Sequence, residues 1–144
     1  MIEQRNKALA ARFLALISAG EADAAFGLVH GNVEWIVPAK SMHCVMTRDV
    51  VLSRLNALLV AANGTFRIWP VAMTAEGERV AIEAESRADF RTGRKYNNTY
   101  HFIFVVRDDK IVKVGEYMDS AHVKEVVFPT TSRIGELPSA SATL

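Results

Sequence analysis

A single cysteine, Cys44, is the only thiol in the 144 residues. It rules out an intrachain disulfide and fits a reducing compartment. No apolar run reaches the roughly 18 residues that a membrane-spanning helix needs. The opening MIEQRNKALAARFLALISAG has no charged region followed by a continuous apolar block, so it does not read as a secretory signal. Charge of one sign is equally scarce. Seventeen Lys and Arg stand against 16 Asp and Glu, for a formal net charge of +1. No block of about five like charges occurs, which argues against a nucleic-acid partner or a polybasic membrane-surface role. A Gly-rich phosphate loop, a G-x-S-x-G elbow and a Cys-x-x-Cys pair are all missing. His30, His43, His101 and His122 do not have metal-ligand spacing, and adjacent His43 and Cys44 do not make a dyad. No metal and no cofactor are expected. The expected setting is cytoplasmic.

What is present is a chain that is 50% apolar and of single-domain length. A chain of about 150 residues buries roughly 68–70% of its unfolded surface, enough for a core without staples. Leu9, Phe13, Leu16 and Ile17 recur at helical steps and predict a helix over about residues 3–18, stopped at Gly20. A short helix is expected over about 22–29 and a strand over 32–37, ended by Pro38. Residues 39–46 have no clean period and read as a loop. Thr47 can cap a third helix whose apolar face is Val51, Leu55, Leu58, Leu59 and Ala62, closed by Asn63-Gly64.

From there the period changes to two. Strands are expected at about 65–75, 79–90, 96–107 and 110–118, with turns at Glu76-Gly77, Thr92-Gly93 and Asp108-Asp109. Asp119 can cap a short last helix with Val123, Val126 and Val127 inward. The tail from Pro129 is rich in Ser, Thr and Pro and is expected to be flexible. Helices, one strand, a helix and then a four-stranded meander make an α+β domain. Helices over one face of a twisted sheet leave a hollow between them.

Within that hollow the most informative position is Glu116. Val112, Val114, Glu116 and Met118 share one face of their strand, so a lone carboxyl points among apolar side chains. Such a group is costly unless paired, protonated or facing a pocket, and a raised pKa is expected of it. In RVAIEAESRADF, Val80, Ile82, Ala84, Ser86, Ala88 and Phe90 face one way and Glu83, Glu85 and Arg87 the other. The plain reading is a half-buried strand with a solvated side. The alternative turns Glu83 and Glu85 toward Glu116, with one strand between and backbones about 9–10 Å apart. Three such carboxylates would repel one another, leaving at least one protonated near neutrality. Strand 96–107 is apolar on both faces, which makes it central, with a core on one side and a subunit contact or second layer on the other. Tyr100 and His101 point oppositely. Trp35, Met42, Val45, Met46, Phe66 and Trp69 can supply an apolar lining, and Asn98 can orient a ligand. Substrate contacts are expected from Trp35, Met42, Trp69, Asn98, Tyr100 and Met118.

ARFLALISAGEADAAF, VEWIVP and TGRKYNNTYHFIFVVRDDKIVKVGEYMD, in this order of elements, resemble the nuclear-transport-factor-2-like superfamily over about residues 3–127. Within it the chain is most similar to the SnoaL-like proteins, neighbours of ketosteroid isomerase and limonene epoxide hydrolase. The resemblance implies a cone-shaped domain over 1–128, followed by a tail at 129–144. A curled, mainly antiparallel sheet would wrap around N-terminal helices and enclose a pocket, and the chain would form a homodimer. It also implies acid–base chemistry on a modest apolar molecule without a cofactor, of isomerase, cyclase or hydrolase type. The same fold can instead serve as a ligand-binding or dimerisation module. By the resemblance to limonene epoxide hydrolases, Glu85 and Glu116 fall where two aspartates stand. Glu83 falls where their bridging arginine would be, which reverses the charge there and argues against that hydrolysis. Against the ketosteroid isomerases, Phe13 occupies the oxyanion-tyrosine position and Trp35 the general-base position. The residues expected to carry catalysis are Glu116, Glu85 and Glu83.

Overall fold

The computed structural model describes residues 1–128, and the expected flexible tail at 129–144 lies outside them. α1 (Ile2–Ser18) forms where the apolar stripe requires it, and Gly20 ends it at φ +77. Its buried face is Asn6, Ala10, Phe13, Leu14 and Ile17, with Leu9 and Leu16 at the margin. α2 (Ala22–Phe26) is shorter than its periodicity predicts, because the next strand begins at Val29. That strand, β1 (Val29–Val37), leads through a single turn of 3-10 helix (Lys40–Met42) into β2 (Cys44–Met46). The segment expected to be a loop therefore carries an edge strand, with Trp35 opposite Met46. α3 (Arg48–Ala62) is capped by Thr47, whose Oγ1 accepts the Val50 N–H, and Asn63 closes it in the left-handed conformation.

The meander follows the predicted order: β3 (Arg67–Glu76), β4 (Arg79–Asp89), β6 (Thr99–Arg107) and β7 (Lys110–Met118). A two-residue β5 (Lys95–Tyr96) returns along the end of β4. Asp119 caps α4 (Ser120–Val126), which buries Val123 and Val126. The seven strands make one curled sheet, six of them in the order β2-β1-β7-β6-β4-β3 and β5 beside β4 off that path. Only the β1–β7 pairing is parallel among those described, so the sheet is mixed but mostly antiparallel. β6 lies between β4 and β7, as its two apolar faces predict.

One register differs from simple alternation. The β6–β7 ladder shifts between Val105 and Val106, so Val106 opposes Ile111 while Val105 opposes Lys113. Ile111 therefore joins Val114 on the core face, where strict alternation along β7 would have put it outside. The helices close over the concave face. Phe13 packs against Phe26 and Phe104 with ring centroids 5.6 Å apart, and Phe26 stacks on Trp35 at 6.1 Å. This aromatic group forms the floor beneath the remaining hollow.

Candidate functional site

Between α1, α3 and the inner face of the sheet lies a cavity of about 120 Å³. Its walls are mainly apolar, with Phe13, Trp35, Leu58, Phe66 and Phe102 among them. Polar groups reach the wall from Glu116, Tyr96, Tyr100 and Arg54, together with the Trp35 indole N–H and the Cys44 thiol.

Glu116 enters through β7. Opposite it in the ladder is Phe102, while Val114 faces Phe104 and Met118 faces Tyr100, all on the inner surface. One polar neighbour reaches the carboxyl. The Trp35 indole N–H donates to Oε1 at 2.9 Å, from a β1 residue paired with Val114. Burial pushes the Glu116 carboxyl up to about 6, and the Trp35 hydrogen bond holds it partly down. The cause is desolvation rather than repulsion among several acids. Among the described residues no salt bridge neutralises it.

The other expected acids stand elsewhere. Glu83 and Glu85 are exposed on the opposite face, because the alternation of Val80, Ile82, Ala84 and Ser86 turns every second residue outward. In the ladder Glu83 faces His101 and Ala72, and Glu85 faces Thr99 and Trp69. The trio is therefore not assembled, and the plain reading of β4 is correct. Trp69 shares that outer face and does not line the cavity, and Val45 is likewise exposed. Trp35, Met42, Tyr100 and Met118 do line it. Asn98 is buried beside the wall and contacts Tyr96 rather than the space itself. His43 is exposed while Cys44 is half-buried at the wall. Among the described residues no three His, Cys, Asp or Glu side chains converge as a metal site.

Two groups escaped the sequence reading. Tyr96 alternates with Asn98 and Tyr100, and that shared face was a usable signal although Tyr96 was not among the expected substrate contacts; it lines the cavity from the end of β5. Arg54 comes from the buried stripe of α3, three residues after Val51 and four before Leu58. That spacing was a usable signal, since a cation on such a stripe must face either a partner or a space. Burial raises the hydroxyl of Tyr96 and pushes that of Tyr100 well above the ordinary phenol range, so both remain donors at neutral pH.

Residues 10–114 match the family described as SnoaL-like domain. A comparison with curated proteins gave no match. Among solved structures, PrhC from Penicillium brasilianum superposes with a TM-score of 0.78 at 17% identity, over 90% of this chain and 89% of that one. A candidate polyketide cyclase from Xanthomonas campestris pv. campestris gives 0.65 at 21%, over 83% and 93%. AclR, a candidate hydroxylase from Streptomyces galilaeus, gives 0.76 at 13%, over 95% and 87%. At these identities the likeness is one of fold.

Proposed function

This chain belongs to the SnoaL-like domain family, and on that footing we propose that it is a small-molecule enzyme using Glu116 as its acid–base group. The observation that carries this reading is a single unpaired carboxyl, held by one indole N–H, on the wall of an apolar cavity. A carboxyl near 6 is divided between both protonation states around neutrality, which suits proton abstraction followed by return. Glu83 and Glu85 face away, so a two-carboxylate hydrolysis is disfavoured, and isomerisation or cyclisation is the better reading. The substrate is a modest, largely apolar molecule.

Solved structures of similar fold include proteins described as candidate polyketide cyclases and a candidate hydroxylase, so polyketide-like compounds belong in the first screen. Screening these with terpenoids and steroids for thermal stabilisation identifies a working substrate. Glu116→Gln is then expected to lower turnover by about 10²–10⁴-fold while leaving binding. Unchanged turnover would remove Glu116 from the chemistry. A ligand that binds but is never converted would favour a carrier of the same fold. We also propose that the chain works as a homodimer in the cytoplasm. Trp69, Val71 and Tyr117, all exposed on the sheet, offer the contact, and the free Cys44 suits a reducing setting.

A further inference from the structure

Arg48 and Arg54 are the half-buried arginines among the described residues, and only one of them is engaged. Arg48 donates to the Phe26 carbonyl at 2.7 Å and lays its guanidinium over the Phe26 ring. Arg54 makes no hydrogen bond and no ion pair among the described residues. Its own helix cannot supply one. An acid would have to stand three or four residues away to pair along α3, and those positions hold Val50, Val51, Ala57 and Leu58. Glu116, the one carboxyl on the cavity wall, is held by the Trp35 indole instead.

The helix sets this cation at the rim of the cavity. Ser53, Asn56 and Val60 carry the exposed side of α3, whereas Val51 and Leu58 are buried. One residue on from Ser53, Arg54 stands about 100° round the helix, between the two sides. It lines the cavity with Val51, Leu55 and Leu58. Half-burial runs the aliphatic stem along that wall and brings the guanidinium to the opening. The wall beyond it is mainly apolar and offers no countercharge, so water screens the guanidinium from the outer side only. An anion at the opening would meet a cation on one side and apolar surface on the other.

We propose that Arg54 selects the ligand by charge: the cavity takes an amphipathic carboxylate, with its apolar body inside and its carboxylate on the Arg54 guanidinium at the opening. The planar fork of N–H groups matches the two carboxylate oxygens, a fit that an ammonium does not give. No bond forms or breaks at this end, which binds and orients only. Anchoring the carboxylate on α3 also decides which end of the molecule meets the sheet. The proposal rests on the reading of the cavity as a small-molecule site and adds the charge of that molecule. It does not depend on what Glu116 does to the bound compound.

The probes are 1-naphthylacetate, 1-naphthylacetamide and 2-(1-naphthyl)ethylammonium, alike in shape and ending in a negative, a neutral and a positive group. Their affinities are read from naphthyl fluorescence at pH 8, where the acid is fully ionised and Glu116 stays in one state. The acid-to-amide affinity ratio is expected to fall about tenfold in Arg54→Met, which keeps the stem and removes the charge. Amide affinity should hold in that variant, whereas a role in packing alone would weaken acid and amide equally. Arg54→Lys should retain part of the preference. On the intact protein, raising salt from about 50 to about 500 mM should weaken the acid and leave the amide unchanged, and the ammonium should bind worst. A ratio unchanged in Arg54→Met, equal losses for acid and amide, salt-insensitive acid binding or tightest binding of the ammonium overturns the role of Arg54. A preference that follows Arg54 while Glu116→Gln leaves turnover intact supports this role and overturns only the reading of Glu116. If neither acid nor amide binds, the cavity is not a site for such molecules and the proposal falls.

Discussion

Glu116 and Trp35 form a pair in which one residue sets the proton affinity of the other. The indole N–H favours the carboxylate, so its removal lets desolvation act alone. In Trp35→Phe the Glu116 midpoint is expected to move above its present value of about 6, as read by carboxyl ¹³C NMR titration. A midpoint that stays or falls would sink the tuning role. The same shift has a stability sign. Below the ordinary carboxyl value of 4.5, folded and unfolded chains both hold the proton and burial carries no charge. As pH rises through about 6, the folded chain must bury an anion that the unfolded chain exposes freely. Stability contributed by the neutral form is therefore lost across that window, by about 1–2 kcal/mol once partial exposure is discounted. Glu116→Gln should be more stable than the parent at pH 8 by about that amount and equal to it near pH 4. Urea denaturation at the two pH values checks this, and a variant less stable at pH 8 contradicts it.

At the scale of elements, β3 is the exposed end of the sheet, and α1 covers part of its free edge. Ser18 Oγ donates to the Ile68 carbonyl at 2.7 Å and accepts the Ile68 N–H at 2.8 Å. One hydroxyl thus pins the end of a helix to a strand and satisfies two backbone groups. Ser18→Ala is expected to lower stability by about 1–3 kcal/mol in urea denaturation. A loss below about 0.5 kcal/mol would show that water replaces the hydroxyl fully. The element boundaries were legible wherever caps and turns have a local chemistry. Thr47, Asn63 and Asp119 end their helices as their side chains dictate. β2 and the register shift at Val105 were not legible, because both depend on which strand lies alongside.

At the scale of the whole molecule, the sheet has two unlike faces. The inner one is closed by helices. The outer one leaves Trp69 at 38%, Val71 at 60% and Tyr117 at 51% exposure, large apolar groups that a second copy would cover. The chain is expected to run as a dimer in light scattering after size exclusion, and Val71→Asp to shift it to a monomer with an unchanged circular dichroism spectrum. A parent chain that is monomeric at about 100 μM, well above the Kd of a stable dimer, would leave that face without this role. The cavity has a consequence at this scale too. It exists because a curled sheet and short helices cannot fill their shared space with the side chains available.

The order of helices and strands, the caps, the hairpin turns and the inward aim of Glu116 follow from the sequence, because each is decided by neighbours within a few residues. Periodicity assigns a side chain to a face without saying what that face meets. Glu83 and Glu85 alternate as cleanly as Glu116 does, and only the packed helices make one surface a cavity wall and the other a solvated exterior. Tertiary structure alone brought Trp35 from β1 to Glu116 on β7 and set Tyr96 between Phe90 and His122. The Trp35–Glu116 hydrogen bond spans 81 positions and the Tyr96–His122 stack joins separate elements, so both exist only once the chain has closed on itself.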